Sequence, residues 1–447
     1  MNIERIKSIL LVILVSLSIV LTVGLWSYQP IYDELEETPV ILHDTFINGT
    51  EQEIRDVVKP SHIVMNYMGQ HFLLMDNHDR DQLLNHLQEW PIHEFDHFSQ
   101  RGQHSSEHTT IELLFPEPIP YSMIGSLLLV DNESFANREF DKMIIELADG
   151  TLGINISFVS SVNHDTITAQ VRNEESYEYI SGLFQRIGNE KYIEVNKYEI
   201  NPNTEIYLPR QEVRLPRRTF TTNNISVSPL VNALFTEPSI VRRNEANLGK
   251  EYYTDGSRSI RIFEGIQNQR FMEFVNPVTD ERNSLDHDEL IYNTVQFIND
   301  HHGWTGDYYL FQISTDNTVT YRMHFNNFPI FGHDELSAIN IKWINQEVNR
   351  YDRPLFRLTT SFESYDQVIN LVSGERVLNF IETYYNPNLI SDIKIGYTIK
   401  EESEGFSRDI ISLEPEWYIE YNGTWIPLYN SDSIEKQGGS KDAMGAD

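Results

Sequence analysis

The sequence predicts an α+β protein, in which a single N-terminal transmembrane helix is followed by a multi-domain extracytoplasmic region with mostly antiparallel sheets. Three observations carry that expectation. Residues 8–28, SILLVILVSLSIVLTVGLWSY, hold no charge, no proline and one glycine. Beyond them, short apolar runs suited to strands flank Asp149-Gly150, Asp255-Gly256 and Asn422-Gly423, dipeptides of tight hairpin turns. Interspersed segments place apolar residues at helical spacing.

As a helix the apolar run would be roughly 31 Å long, about the thickness of a bilayer's hydrocarbon core. Arg5 and Lys7 precede it, which places the N-terminus in the cytoplasm, and Asp33, Glu34, Glu36 and Glu37 follow it. Trp26 and Tyr28 fall at the level of an interfacial aromatic belt. The bulky exit Leu25-Trp26-Ser27-Tyr28-Gln29-Pro30 offers no small-residue cleavage site, so an uncleaved anchor is expected rather than a signal peptide. No second stretch is long and apolar enough to span, so the chain is expected to cross once, at the cell membrane, with its bulk outside. Within the run, Ser8, Leu11, Val15, Ser18, Thr22 and Leu25 share one stripe at 3,4 spacing. This is the candidate surface for packing against a neighbouring membrane helix. The alternative is that the hydroxyls bond their own backbone and the stripe faces lipid.

With 40% hydrophobic and 12% aromatic residues, the rest of the 447-residue chain can build cores. The expected division is a cytoplasmic tail (1–7), the membrane helix (8–28), an N-terminal α+β domain (31–200), a central mainly β domain (201–280), a C-terminal α+β domain (281–430) and a flexible tail (431–447). Cysteine is absent, which excludes disulfides, thiolate metal sites and cysteine nucleophiles. The net charge of −33, from 34 basic and 67 acidic residues, should repel nucleic acid, anionic lipid and polyanionic wall polymers.

Along the chain, Thr50-Glu51-Gln52-Glu53 has capping-box spacing for a short helix ending near Pro60. A hairpin is expected at His62–Tyr67 and Gln70–Met75, then a helix capped by Asp79 and running to Trp90, with Leu83, Leu84, Leu87 and Trp90 inward. Thr109–Phe115 reads as a strand, Pro116–Pro120 as a rigid turn and Tyr121–Leu128 as a short helix. Strands follow near 140–147, 152–159 and 165–171, then a helix with Ile180, Leu183, Phe184 and Ile187 on one face. The stretch 201–245 holds a basic island, Arg210, Arg214, Arg217, Arg218, Arg242 and Arg243, read as inter-domain ion pairing or else as a partner patch. Strands are expected at Ser257–Glu264 and Gln269–Phe274, and a helix at Asp286–His301 presenting Ile291, Thr294, Val295 and Ile298. Then come the Tyr308–Ile313 and Thr318–Phe325 hairpin, strands at Ala338–Trp343 and Leu355–Thr360, and a helix at Glu375–Thr383. Strands at Asp392–Ile399, Trp417–Tyr421 and Thr424–Leu428 close the chain.

One catalytic pattern needs weighing. His93-Glu94-Phe95-Asp96-His97 fits H-E-x-x-H, in which helical i,i+4 spacing aims two imidazoles at one zinc and the glutamate serves as base. Trp90-Pro91 ends a helix just before it, and Gln100 stands where the extended motif needs glycine. A surface loop or strand is therefore expected, and a zinc peptidase is the third-ranked function. His301-His302 and His104/His108 read as exposed loop residues. The calcium-loop pattern at Asn77, Asp79 and Asp81 fails because Gln82 replaces glycine. Phosphate-loop, nucleophile-elbow and dinucleotide motifs are absent. The expectation is no catalytic residue, no cofactor and no metal.

Several segments together resemble the YycH family of Gram-positive bacteria. They are Ile6–Leu11, Gly24–Pro30, Tyr253-Thr254-Asp255-Gly256-Ser257-Arg258, His302-Gly303-Trp304-Thr305-Gly306-Asp307-Tyr308 and Phe328-Pro329-Ile330-Phe331-Gly332. The resemblance implies a non-enzymatic modulator of the sensor histidine kinase WalK (YycG), which controls cell-wall turnover. It further implies action with the similarly anchored YycI through transmembrane helices, and a C-terminal domain sharing the YycI fold. Restraint of the kinase is the expected sign, although the family also has members that support it; a homodimer is a further partner expectation. The runner-up reading is an extracytoplasmic ligand- or wall-sensing binding protein.

Overall fold

The computed structural model describes residues 46–428 apart from 98–108, 131–137, 149–151, 164, 189–190, 202–203, 247–249, 266–268, 279–284, 333–335, 363–366 and 402–408, together with 7, 11, 13–18 and 21. The Asp149-Gly150 turn, His104, His108 and the 431–447 tail lie outside the described residues.

Helix α1 (Ile54–Val57) opens on a capping box made by Glu53 and Asp56. The expected box from Thr50 to Glu53 does not form, because Thr50 is bridged to Trp304 instead. Strands β1 (His62–Tyr67) and β2 (Gln70–Leu74) turn through Met68 and Gly69, both at positive φ (50° and 74°), the pair a type I′ turn needs. Helix α2 (Asn77–Glu89) is capped by Asp76, whose Oδ1 accepts the Asp79 N–H at 3.0 Å. Asp79, the expected cap, instead lies inside the first turn, where it is buried and faces Lys191 and Arg186, each at 3.4 Å. Leu83, Leu87 and Trp90 face inward as their spacing requires.

Strand β3 (His93–His97) precedes β4 (Thr110–Pro120), which runs through the proline segment expected to be a turn. The register with β5 (Glu139–Leu147) slips between Leu114 and Ile119, and Pro116 and Pro118 sit in that gap, where a missing N–H breaks no ladder bond. After a 3₁₀ turn and α3 (Ile124–Leu127), β5 is joined by β6 (Ile154–Val159) and β7 (Thr166–Val171). Helix α4 (Glu174–Gln185), capped by the Asn173 side chain, buries Ile180, Leu183 and Phe184. Strands β8 (Tyr192–Asn201) and β9 (Thr204–Pro209) complete a nine-stranded sheet in the order β3-β7-β6-β5-β4-β1-β2-β8-β9, every pairing antiparallel.

The second half adds β10 (Val213–Pro216), β11 (Arg218–Asn224), helix α5 (Ser228–Leu234), β12 (Arg242–Ala246), β13 (Lys250–Thr254), β14 (Ser259–Glu264) and β15 (Arg270–Val275). Helix α6 (His287–Asn299) leads into β16 (Tyr308–Ser314), β17 (Thr318–Phe325), β18 (Phe328–Phe331), β19 (Ala338–Ile344), β20 (Glu347–Pro354), β21 (Phe356–Phe362) and β22 (Val368–Leu371). Helix α7 (Gly374–Tyr384) precedes β23 (Ile390–Glu401), β24 (Ile410–Tyr421) and β25 (Thr424–Leu428). These strands form one long sheet, β12-β13-β14-β15-β20-β19-β17-β18-β23-β24-β11-β21, with β16 on β17 and β25 on β24, while β10 and β22 pair apart. The β18–β23 pairing is parallel. Asn422 and Gly423, at φ 52° and 75°, form the expected tight turn.

The two sheets are docked. Asn201 Nδ2 donates to Ile390 O at 2.9 Å, Asn327 Nδ2 to Asn77 Oδ1 at 2.6 Å and Ser122 Oγ to Asp288 Oδ2 at 2.8 Å. Gly374, at the start of α7, lies so close to Leu208 of β9 that a Cβ there would collide. Strand β20, unexpected from the sequence, is held by charge pairs: Arg350 reaches Glu273 of β15 at 3.1 Å and Asp352 of its own strand at 2.7 Å.

His301 corrects an expectation. It is not an exposed loop residue but 1% exposed, with Nε2 3.0 Å from Tyr351 Oη and its ring edge-on to Phe297. Burial, reinforced by Arg353, lowers its pKa to about 3. An unfolded imidazole near 6.5 therefore takes up a proton that the folded one refuses. The stability His301 contributes is complete above that value and is lost as pH falls from 6.5 toward 3, by up to about 1.4 kcal/mol per pH unit. Denaturant unfolding of the wild type and His301→Asn between pH 7 and 4.5 checks this. The variant should show the flatter pH dependence, and equal slopes would contradict a buried neutral imidazole.

Candidate functional site

The described body begins at residue 46, and its first residues lie along the end of α6 like a strap. Ile47 is buried, and its N–H donates to His301 O at 3.2 Å. The Thr50 N–H donates to Trp304 O at 3.0 Å. Gln52 N donates to Asn299 Oδ1 and Asn299 Nδ2 to Gln52 O, both at 2.9 Å, across 247 residues of sequence. The indole N–H of Trp304 reaches the same Asn299 Oδ1 at 2.8 Å. Phe46 stacks on His302 with 4.0 Å between ring centroids, and His302 Nε2 lies 3.0 Å from Glu51 Oε1. Gly49 passes so near the His302 and Trp304 carbonyls that any Cβ would collide with them.

This docking depends on how α6 stops. His302 adopts φ 51°, while Gly303 N returns to Ile298 O at 2.8 Å and His302 N to Asn299 O at 2.9 Å, a Schellman ending with histidine in the left-handed position. The carbonyls beyond are turned outward. Gly303 O is taken by Arg353 Nη1 at 2.9 Å, and the same guanidinium reaches Tyr351 Oη and Thr305 Oγ1, each at 2.9 Å. The segment His302–Tyr308 is thus a junction, one side receiving the strap and the other Arg353 from β20. It fixes the first residues of the described body against the end of α6.

Of the stripe residues, Leu11, Val15 and Ser18 are described as helical and exposed; Ser8, Thr22 and Leu25 lie outside the described residues. Leu14 and Leu17, off the stripe, are exposed as well. Among the described residues no helix is long and apolar enough to cross a membrane, and only scattered positions of 8–28 are among them.

The H-E-x-x-H segment is strand β3, paired with β7 through a bulge between His93 and Asp96. Glu94 sits at φ 54° and meets Arg172 at 2.6 Å, exposed to solvent. Strand positions four apart lie roughly 13 Å from each other along the chain, so the helical i,i+4 spacing that joins two imidazoles on one metal does not arise. No group of three or more metal-ligating side chains occurs among the described residues. In the basic island, Arg217 pairs with Glu414 at 2.9 Å, Arg210 with Glu194 at 2.5 Å and Arg243 with Glu251 at 3.4 Å, while Arg214 and Arg242 are exposed. The strap escaped the sequence reading. Its one local signal is Gly49 next to Asn48, which adopts φ 59°.

Residues 4–188 match the family model described as YycH protein, N-terminal domain, and residues 203–433 the YycH protein, C-terminal domain. The two-component system WalR/WalK regulatory protein YycH of Bacillus subtilis (strain 168) is 25% identical over 456 residues, covering 97% of this chain and 98% of its own. The crystal structure of YycH from Bacillus subtilis superposes with a TM-score of 0.72 at 22% identity, covering 87% of this chain and all of that one, a likeness of fold. With both halves matched in order, this chain belongs to the YycH family.

Proposed function

We propose that this protein is a non-enzymatic regulator of a two-component sensor histidine kinase of the WalK type. In this reading it is held in the cell membrane by residues 8–28, with its N-terminus cytoplasmic and its bulk outside, and acts through its membrane helix. The observation that carries the reading is collinear similarity to a WalR/WalK regulatory protein along nearly the full length of both chains. The N-terminal family match begins at residue 4 and so takes in the apolar run. The strap offers a receiving point: residues 46–53 hold the start of the described body to the α6 end, where in this reading a motion of the helix reaches the folded mass. The partners are the kinase and a second anchored protein of the YycI type, met along Ser8, Leu11, Val15, Ser18, Thr22 and Leu25. Restraint of the kinase is the proposed sign, and the division at about 200 and 280 the proposed domain plan.

Two outcomes are expected. Interhelical hydrogen bonds in membranes average only about 0.6 kcal/mol, so Ser18→Ala should do little, whereas added bulk should part the helices. Ser18→Phe with Thr22→Phe should change a reporter of kinase output and abolish helix crosslinking in membranes. The pair Leu17→Phe and Leu21→Phe should be tolerated. Equal behaviour of both pairs, or normal output restored by the soluble 31–447 fragment, would reject the intramembrane mechanism.

Asn299→Ala removes two hydrogen bonds of the strap to Gln52 and a third from the Trp304 indole, and should cost about 1–3 kcal/mol locally. Amide exchange at residues 47–53 of the full chain should accelerate, with kinase output altered. Faster exchange with unaltered output would show that the strap does not transmit.

A further inference from the structure

Between the β1–β2 hairpin and the facing strands β16, β18 and β23 lies a cavity of about 70 Å³. Part of its wall is apolar: Leu74, Leu208, Phe328, Ile395 and Trp417. The rest is cationic, in a chain whose net charge is −33. Three cations line it, Arg80, Lys394 and Lys59, beside the imidazoles of His62 and His324, which are neutral at pH 7. Both halves of the molecule contribute, Arg80 and Leu74 from the first sheet's side and Lys394, Phe328 and Trp417 from the second.

Arg80 is the singular member. It is 6% exposed, and its one side-chain hydrogen bond runs from Nη2 to the Pro60 carbonyl. Its Nε has no partner, and among the described residues no carboxylate lies within ion-pair distance of it. Burial lowers its pKa to about 10, so it remains a cation at neutral pH. The other cations are accommodated. Lys394 meets Asp392 at 2.6 Å and stands 5.1 Å from the Trp425 ring. Lys59 stands 4.5 Å over the Tyr309 ring, with Asp81, Asp307 and Asp56 near enough to favour its charge.

The histidines add no counter-charge. Packed protein on their inner sides, with Lys394 and Arg80 close by, lowers His62 to about 4 and His324 to about 3. Glu117, behind the proline end of β4, is raised by burial to about 7 and is half neutral there. A buried guanidinium without a carboxylate costs several kcal/mol, and a bound anion offsets that cost through paired N–H···O bonds.

We propose that this cavity binds an amphipathic anion, with a carboxylate or phosphate head at Arg80 and an apolar tail along Leu74, Phe328 and Trp417. The ligand would touch both halves, so it would also stabilise their docking. This inference stands apart from the kinase-regulator reading, since binding is measured on the protein itself.

Full-length protein in nanodiscs of zwitterionic lipid, with empty nanodiscs subtracted, is titrated calorimetrically with hexanoate, hexyl phosphate, inorganic phosphate and hexylammonium. Saturable binding of one hexanoate or hexyl phosphate per chain is expected, with inorganic phosphate at least about tenfold weaker and hexylammonium not bound. The tighter of the two hexyl anions identifies the head group. Arg80→Met should weaken the preferred ligand by at least about tenfold, with folding followed by circular dichroism. Phe328→Ala is the second variant, because Arg80 also supports Pro60. It should weaken the hexyl anions and leave the affinity for inorganic phosphate unchanged. Absence of saturable binding, equal binding of hexylammonium, or full affinity in a folded Arg80→Met protein would overturn the proposal.

Discussion

A helix that stops inside a protein leaves carbonyl groups in need of donors, and α6 stops inside this one. Two are closed locally by the Schellman turn at His302 and Gly303. Just past the helix, the carbonyls of the turn itself are met from far away in sequence: His301 O by Ile47, Trp304 O by Thr50 and Gly303 O by Arg353. The start of the described body and strand β20 are therefore held to the same turn. Gly303 has no room for a side chain, because a Cβ would meet Ile298 and His301, and Gly49 has none across the contact. The segment His302–Tyr308, which carries part of the family resemblance, is a structural junction, and its residue types answer to that geometry.

The interior of this acidic protein holds cations, and each is handled differently. Arg353, 1% exposed, donates to neutral oxygens and is thereby locked into the junction. Lys394 has a carboxylate and aromatic faces. Arg80 has a single carbonyl and an open side toward a cavity. Guanidinium groups are desolvated at less cost than ammonium, which suits arginine to the two most buried positions. The difference between Arg353 and Arg80 separates a fastening from a receptor.

The strap and the cavity flank the same docking of two sheets. The strap ties the N-terminal chain to the second half through Asn299, while the cavity is walled by both halves beside the Asn77–Asn327 contact. In the proposed reading, a regulator working through a membrane helix needs a body that receives the chain at a defined place, and the hydrogen bonds of the strap supply that place. Occupation of the cavity would act on the same body from its other side.

The elements legible in the sequence are those whose cause is local. The Asn422-Gly423 hairpin, the Met68-Gly69 hairpin and the apolar faces of α2, α4 and α6 follow from φ preference and from period 2 or 3.6, so their expected positions agree with the structure to within a few residues. Sequence and collinear motifs also sufficed for the family. What tertiary structure decided is whatever rests on partners distant along the chain. Strand β20 is too charged to read as a strand until Glu273 of β15 reaches diagonally to Arg350. The proline run of β4 stays extended because its neighbour's register slips there. His301 is buried because Tyr351 and Phe297 close over it. The strap and the Arg80 cavity join residues hundreds of positions apart, and periodicity, a property of neighbours, carries no information about such meetings.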